Sequence, residues 1–149
     1  MDVQIKWPND IFAENKKLCG ILVESYNIQN IRKYIVGIGI NVFKETSTTE
    51  PIIGFLEDYT THDLQRETLL NEVMNQIKED IKIFKRDGFE SFRDYFLGNC
   101  QNLGKKITVK VGDSNKKGVF DGITLQGHLI LNEKDIIVKI PAGEILQKD

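Results

Sequence analysis

Through its first forty residues the chain alternates apolar and polar positions in short runs separated by turn-forming clusters. Val3 to Trp7 reads as a strand stopped by Pro8-Asn9-Asp10. Ile11 to Ala13 is a short extended piece before the polar turn Glu14-Asn15-Lys16. Leu18 to Ser25 and Lys33 to Val42 form two further strands, and the polar link around Asn27 to Asn30 suits a hairpin rather than a crossover helix. From Asp63 the period changes. Leu69, Leu70, Val73, Ile77, Ile81 and Phe84 recur at helical spacing, with Thr60 and Asp63 as N-terminal cap candidates and Gly88 where a stop is expected. Phe89, Phe92, Tyr95 and Phe96 predict a second, short helix ending near Gly98-Asn99, its aromatics in the core. After Gly104 the pattern returns to short strands: 107–111, 117–123, 128–132 and 136–140.

These elements predict an α+β chain: a partial antiparallel or mixed sheet packed on helices, then a small all-β, SH3-like barrel. The boundary falls near Asn102–Gly104, giving domains 1–102 and 103–149. A barrel this small draws on a neighbour's surface for stability.

Composition narrows the class. The chain has 149 residues, 40% hydrophobic and 28% charged, which describes a folded globular protein. A net charge of −2 gives no global electrostatic case for nucleic-acid binding. The lysines at 105, 106, 110, 116 and 117 interleave with strand-like sequence and read as a solvated sheet face. No apolar run approaches the ~20 residues that cross a bilayer, and no signal segment opens the chain, so no membrane partner and a cytoplasmic location are expected. Cys19 and Cys100 are isolated and read as free thiols. No metal-spaced His or Cys set, phosphate loop or nucleophile elbow is present, and His62 and His128 read as structural or surface residues. No metal site is expected.

Candidate chemistry gathers in the first strands. Residues of equal parity share a strand face. Tyr34, Val36, Ile38, Ile40 and Val42 make one face, apolar and fit to lie under helices; Ile35, Gly37, Gly39 and Asn41 make the other. A glycine inside a strand costs roughly 0.5–1 kcal/mol, so two at matched parity need a reason: close approach of a ligand or of another backbone, a bulge, or room for a bulky neighbour. Lys6 and Lys17 sit at strand ends beside apolar and glycine-bearing segments, where charge is costly unless used. Strict alternation groups Lys17 with Cys19 and Ile21, away from Gly20; sharing Gly20's side requires a twist or bulge. Asp10 has a plain alternative role in bracing its own turn.

Lys6-Trp7-Pro8-Asn9-Asp10, the strand Lys17-Leu18-Cys19-Gly20-Ile21-Leu22 and the strand Gly37-Ile38-Gly39-Ile40-Asn41, in this order and spacing, resemble biotin protein ligases. The aromatic helix and the closing Pro141-Ala142-Gly143-Glu144-Ile145 agree with that likeness, which extends over essentially the whole chain. It implies the biotin/lipoate ligase-like fold and ATP-dependent conversion of biotin to biotinyl-5′-AMP. Biotin then passes to a lysine of a biotin carboxyl carrier domain of a carboxylase. Biotin, ATP and Mg2+ are thereby implied. By the same resemblance Lys17 is the principal catalytic lysine, binding carboxylate and α-phosphate, Lys6 supports the phosphates, and Asp10 handles the acceptor amine. Gly20, Gly37 and Gly39 floor the biotin site, and Asn9 and Asn41 read the nucleotide.

The resemblance also implies a long preceding segment with a Gly/Arg-rich loop that this sequence lacks, and Gln147-Lys148 stands where relatives often place an arginine. The expectation is therefore a ligase fragment, inactive alone, that pairs with a complementary N-terminal ligase fragment or forms a homodimer through sheet edges. Two other readings stand beside it: a non-catalytic binding module with adenylate or carrier affinity, and a lipoate ligase-like acyltransferase, which the pentapeptide disfavours.

Overall fold

A computed structural model describes residues 2–44 and 52–146; Gln147 and Lys148 lie outside the described residues. The chain divides into two compact units, one of residues 2–4 and 9–64, the other of residues 5–8 and 65–146.

Four strands, β1 (Val3–Lys6), β2 (Asp10–Ala13), β3 (Lys16–Ile28) and β4 (Ile31–Ile40), form a sheet in chain order. Asn15 (φ 64°) and Asn30 (φ 63°) each stand in the left-handed region at the tight links, where a short amide side chain is tolerated. β3 and β4 pair antiparallel without interruption from Cys19↔Ile40 to Ile28↔Ile31. The strands run longer than the apolar pattern indicates, because the hairpin ladder carries on through the polar residues Tyr26, Asn27, Arg32 and Lys33.

The first unit buries Ala13, Leu18 and Cys19, against which Ile11, Ile21, Ile40, Leu56 and Tyr59 pack. Beyond this small core the hairpin is uncovered. Leu22 and Val23 are 61% and 57% exposed, and Tyr34 and Val36 are 62% and 55% exposed. Tyr34 and Val36, expected to pack under helices, are thus bare, as are Leu22 and Ile35 on the opposite face.

In the second unit α1 (Arg66–Asp87) and α2 (Glu90–Gly98) precede a five-stranded sheet. Helix α1 begins after Gln65, not at the expected caps: the Thr60 hydroxyl instead accepts from the His62 amide at 3.1 Å, closing a local turn. Its end is as the sequence indicates, with Gly88 at φ 71° and its amide donating to the Phe84 carbonyl. No residue of α1 is buried. Strands β5 (Lys106–Val111), β6 (Ser114–Ile123), β7 (Leu129–Glu133), β8 (Ile136–Ile140) and β9 (Glu144–Leu146) form an antiparallel sheet in the order β8-β7-β6-β5-β9. Ile107, Val109, Phe120, Ile123, Leu129, Leu131, Ile140 and Ile145 fill one core with Trp7, and Phe89, Phe96 and Leu97 pack onto it. Trp7 Nε1 donates to the Gly127 carbonyl at 3.1 Å. Gly118 lets β7 lie close, since a Cβ there would collide with the Asn132 carbonyl.

Phe120 is fully buried at the centre of that core. Phe120→Ala should destabilise the second unit by about 3–5 kcal/mol, read as a lowered urea midpoint. A loss below about 1 kcal/mol would show that this core collapses freely around the cavity.

Candidate functional site

Lys17 and Asp10 meet because a ladder is broken. Asp10 pairs with Gly20 and Ile11 with Cys19, but Phe12 then pairs with Lys17, so Leu18 is the extra residue of a β-bulge. The bulge reverses the alternation. Lys17, which strict parity would place away from Gly20, comes to Gly20's side. A Cβ built on Gly20 would lie 3.3 Å from Asp10 Oδ1 and 3.4 Å from Lys17 Nζ. The ammonium and carboxylate are 2.7 Å apart, with side chains 41% and 22% exposed. This is a half-wet, charge-assisted hydrogen bond, whose worth lies in orientation more than in stability.

The bulge also redirects the backbone of Lys17. Its amide donates to the Ile52 carbonyl at 2.7 Å, and its carbonyl accepts from the Gly54 amide at 3.0 Å and from Asn41 Nδ2 at 3.0 Å. The amide of Asn41 donates to the Leu18 carbonyl at 2.8 Å. Alternation along the strands does not reveal residues 52–54; the signal available was a glycine closing the apolar pair Ile52-Ile53.

Gly39 faces Gly20 across the β3–β4 ladder, and Gly37 faces Leu22. A Cβ on Gly37 or Gly39 would meet nothing nearer than a neighbouring carbonyl at 3.9 Å. The ladder is regular there, so neither a bulge nor a bulky neighbour among the described residues accounts for these glycines. They leave the sheet surface bare.

A recess of about 460 Å3 lies over this surface, lined by Asn9, Asp10, Lys17, Gly20, Gly37 and Gly39 with Ile21, Leu22 and Ile38. Asn9 Nδ2 donates to the Ile21 carbonyl at 2.6 Å, fixing the turn before β2. Lys6 and Asn41 do not line the recess. Lys6 closes β1 and groups with the second unit, while Asn41 turns its amide to the Lys17 carbonyl. A larger groove of about 590 Å3 lies on the C-terminal sheet between Lys106, Lys117 and Lys134. It has no paired acid and base and no bare glycine strand, so the smaller recess is the better chemical candidate.

Two family models match the chain: the biotin/lipoate A/B protein ligase family over residues 1–41, and the biotin protein ligase C-terminal domain over residues 103–146. The chain belongs to the biotin protein ligase family. It is 30% identical over 149 residues to the biotin–[acetyl-CoA-carboxylase] ligase of Paracoccus denitrificans, covering 95% of this chain and 61% of that protein. Against the bifunctional ligase/repressor BirA of Escherichia coli it is 27% identical, covering 96% of this chain and 46% of that protein. The solved biotin protein ligase of Aquifex aeolicus in complex with biotin and ATP superposes with a TM-score of 0.81 at 29% identity, over 98% of this chain and 62% of that one. The chain thus spans between about half and three fifths of the length of these ligases.

Cys19 lies in the same ladder, buried behind the ion pair. Burial raises its thiol pKa above the usual 9.0, the Asp10 carboxylate raises it further, and Lys17 opposes both. Alkylation of Cys19 by iodoacetamide should therefore set in only well into the alkaline range. Asp10→Asn should move that onset to lower pH and Lys17→Ala to higher pH. Equal onsets in all three proteins would place the ion pair's field elsewhere.

Proposed function

We propose that the recess is the acyl-adenylate site of a biotin protein ligase, which activates biotin with MgATP to biotinyl-5′-AMP and transfers it to a lysine of a biotin carboxyl carrier domain. The observation that carries this reading is one ammonium and one carboxylate, 2.7 Å apart, at the rim of a glycine-bared shelf. Attack of the biotin carboxylate on the α-phosphate, with pyrophosphate leaving as the α–β bond breaks, brings two anions together and spreads further charge in the transition state, and a fixed cation offsets that repulsion. Lys17 is that cation, with Lys6 assigned to the phosphates. Gly20, Gly37 and Gly39 let a bicyclic ring approach the strands closely. The Nδ2 groups of Asn9 and Asn41 are held by backbone carbonyls, which leaves their Oδ1 atoms to accept from an adenine amine.

In the second step the acceptor lysine must lose a proton before attacking the acyl carbon. Asp10, relieved of Lys17 once that ammonium turns to the anionic adenylate, orients and deprotonates the incoming amine. Mg2+ would enter with ATP and shield its phosphate charge.

The division into 1–102 and 103–149 stays part of the proposal, supported by a C-terminal family model that starts at residue 103. That model also favours biotin over lipoate. The uncovered hairpin faces and the open edge of β4 support a requirement for further polypeptide, a complementary N-terminal ligase portion or a second copy across the sheet edge. These 149 residues by themselves turn over negligibly, in the cytoplasm as in the test tube.

The test is adenylation and transfer by the chain joined to the N-terminal portion of the Aquifex aeolicus ligase. Lys17→Ala should lower adenylation by about 10²–10³, some 3–4 kcal/mol of transition-state stabilisation. A change under about threefold removes Lys17 from the role. Asp10→Asn should spare adenylate formation and slow transfer; equal losses in both steps would refute the acceptor-amine assignment.

A further inference from the structure

We infer that Gly54 is a positioning residue for Lys17, acting through a backbone clamp that residues 52–54 close on it; the kinetic consequence rests on the acyl-adenylate reading, the clamp itself does not. The bulge sets Lys17 opposite Phe12 with Leu18 as the extra residue, and at such an irregularity a long side chain is poorly directed unless the backbone beneath it is held. Residues 52–54 hold it from outside the β2–β3 ladder. Lys17 N donates to Ile52 O at 2.7 Å and Gly54 N donates to Lys17 O at 3.0 Å, so the residue is held through both its amide and its carbonyl by a single segment running parallel to it. Asn41 Nδ2 adds a third bond, the second on that carbonyl, at 3.0 Å. The segment is anchored in turn, with Leu56 N donating to Asn41 O at 2.9 Å and the Tyr59 hydroxyl to Ala13 O at 3.2 Å.

The grip depends on Gly54 having no side chain. A Cβ there would stand 2.8 Å from Lys16 Cβ and 3.1 Å from Leu18 Cδ2. Lys16 Cβ is tied directly to the backbone and cannot swing aside. Leu18 is buried, and its neighbours Ala13 and Cys19 are buried with it. Gly54 has no left-handed φ, so the reason for a glycine is space. A methyl group would lift the segment from Lys17, loosen both bonds, and let the ammonium leave Asp10 and the shelf.

The experiment compares the 149-residue chain with Gly54→Ala and Asn41→Ala by NMR. In the parent, the Lys17 ammonium should correlate with the Asp10 carboxylate carbon, and the Lys17 amide should exchange slowly. Gly54→Ala should abolish the correlation and raise Lys17 amide exchange at least tenfold, with the amide resonances of residues 105–146 unmoved. Asn41→Ala adds no bulk and removes one bond, so it should weaken the correlation even if Gly54→Ala fails to fold. An undiminished correlation in Asn41→Ala, or its survival in folded Gly54→Ala, overturns the clamp. In the joined ligase, Gly54→Ala should lower kcat for adenylation at least tenfold with KM for ATP within twofold, because positioning is lost and binding surface is not. A KM rise at constant kcat would overturn the positioning role. Loss of the correlation together with an inactive parent enzyme would leave the clamp standing and refute the acyl-adenylate reading alone.

Discussion

One extra residue in β3 sets the rest of the site. Without the bulge at Leu18, the Lys17 ammonium and the Asp10 carboxylate would leave from opposite sides of the sheet, and the recess would hold a lone anion. With it, two opposite charges share a face with three glycines. A bulge frees backbone groups that must find partners, since an unmet buried donor or acceptor costs about 1–3 kcal/mol. Ile52, Gly54 and Asn41 supply them. The fold therefore couples the irregular strand to a distant segment, and the price of aiming one lysine is a second stretch of chain.

The glycines of this chain serve separate ends. Gly37 and Gly39 have open space where a side chain would go, so their bareness is turned outward. Gly54 and Gly118 have backbone or side-chain atoms pressed against that position, so their bareness is turned inward. Substitution in the first pair would alter what can lie on the sheet; in the second it would alter the sheet itself.

Much of the fold was legible. The hairpin, both helices and four of the five C-terminal strands follow from period-two and period-3.6 patterns, and Gly88 from its place at a helix end, whereas the three-residue β9 is too short to show a period. The start of α1 was not, because the Thr60 hydroxyl is spent on a nearer amide. Gly37 and Gly39 could be named from parity, and Asp10 and Gly20 from the resemblance of the motifs that carry them. The side taken by Lys17 could not, because a bulge is a property of pairing between two strands and neither strand alone encodes it. Trp7 illustrates the opposite case: it stands inside the pentapeptide that marks the site, yet its indole fills the C-terminal core. Adjacency in the motif concealed two different duties.

The β3–β4 hairpin holds ten residue pairs in register while showing apolar side chains to both sides. Such an arm is cohesive along its length and poorly supported across it, which puts its outer half among the first parts to open. A small molecule lying on the shelf would be gripping a surface that it must also steady. Part of any contact energy there would go into steadying the arm, so affinity would run below what the contact area alone suggests.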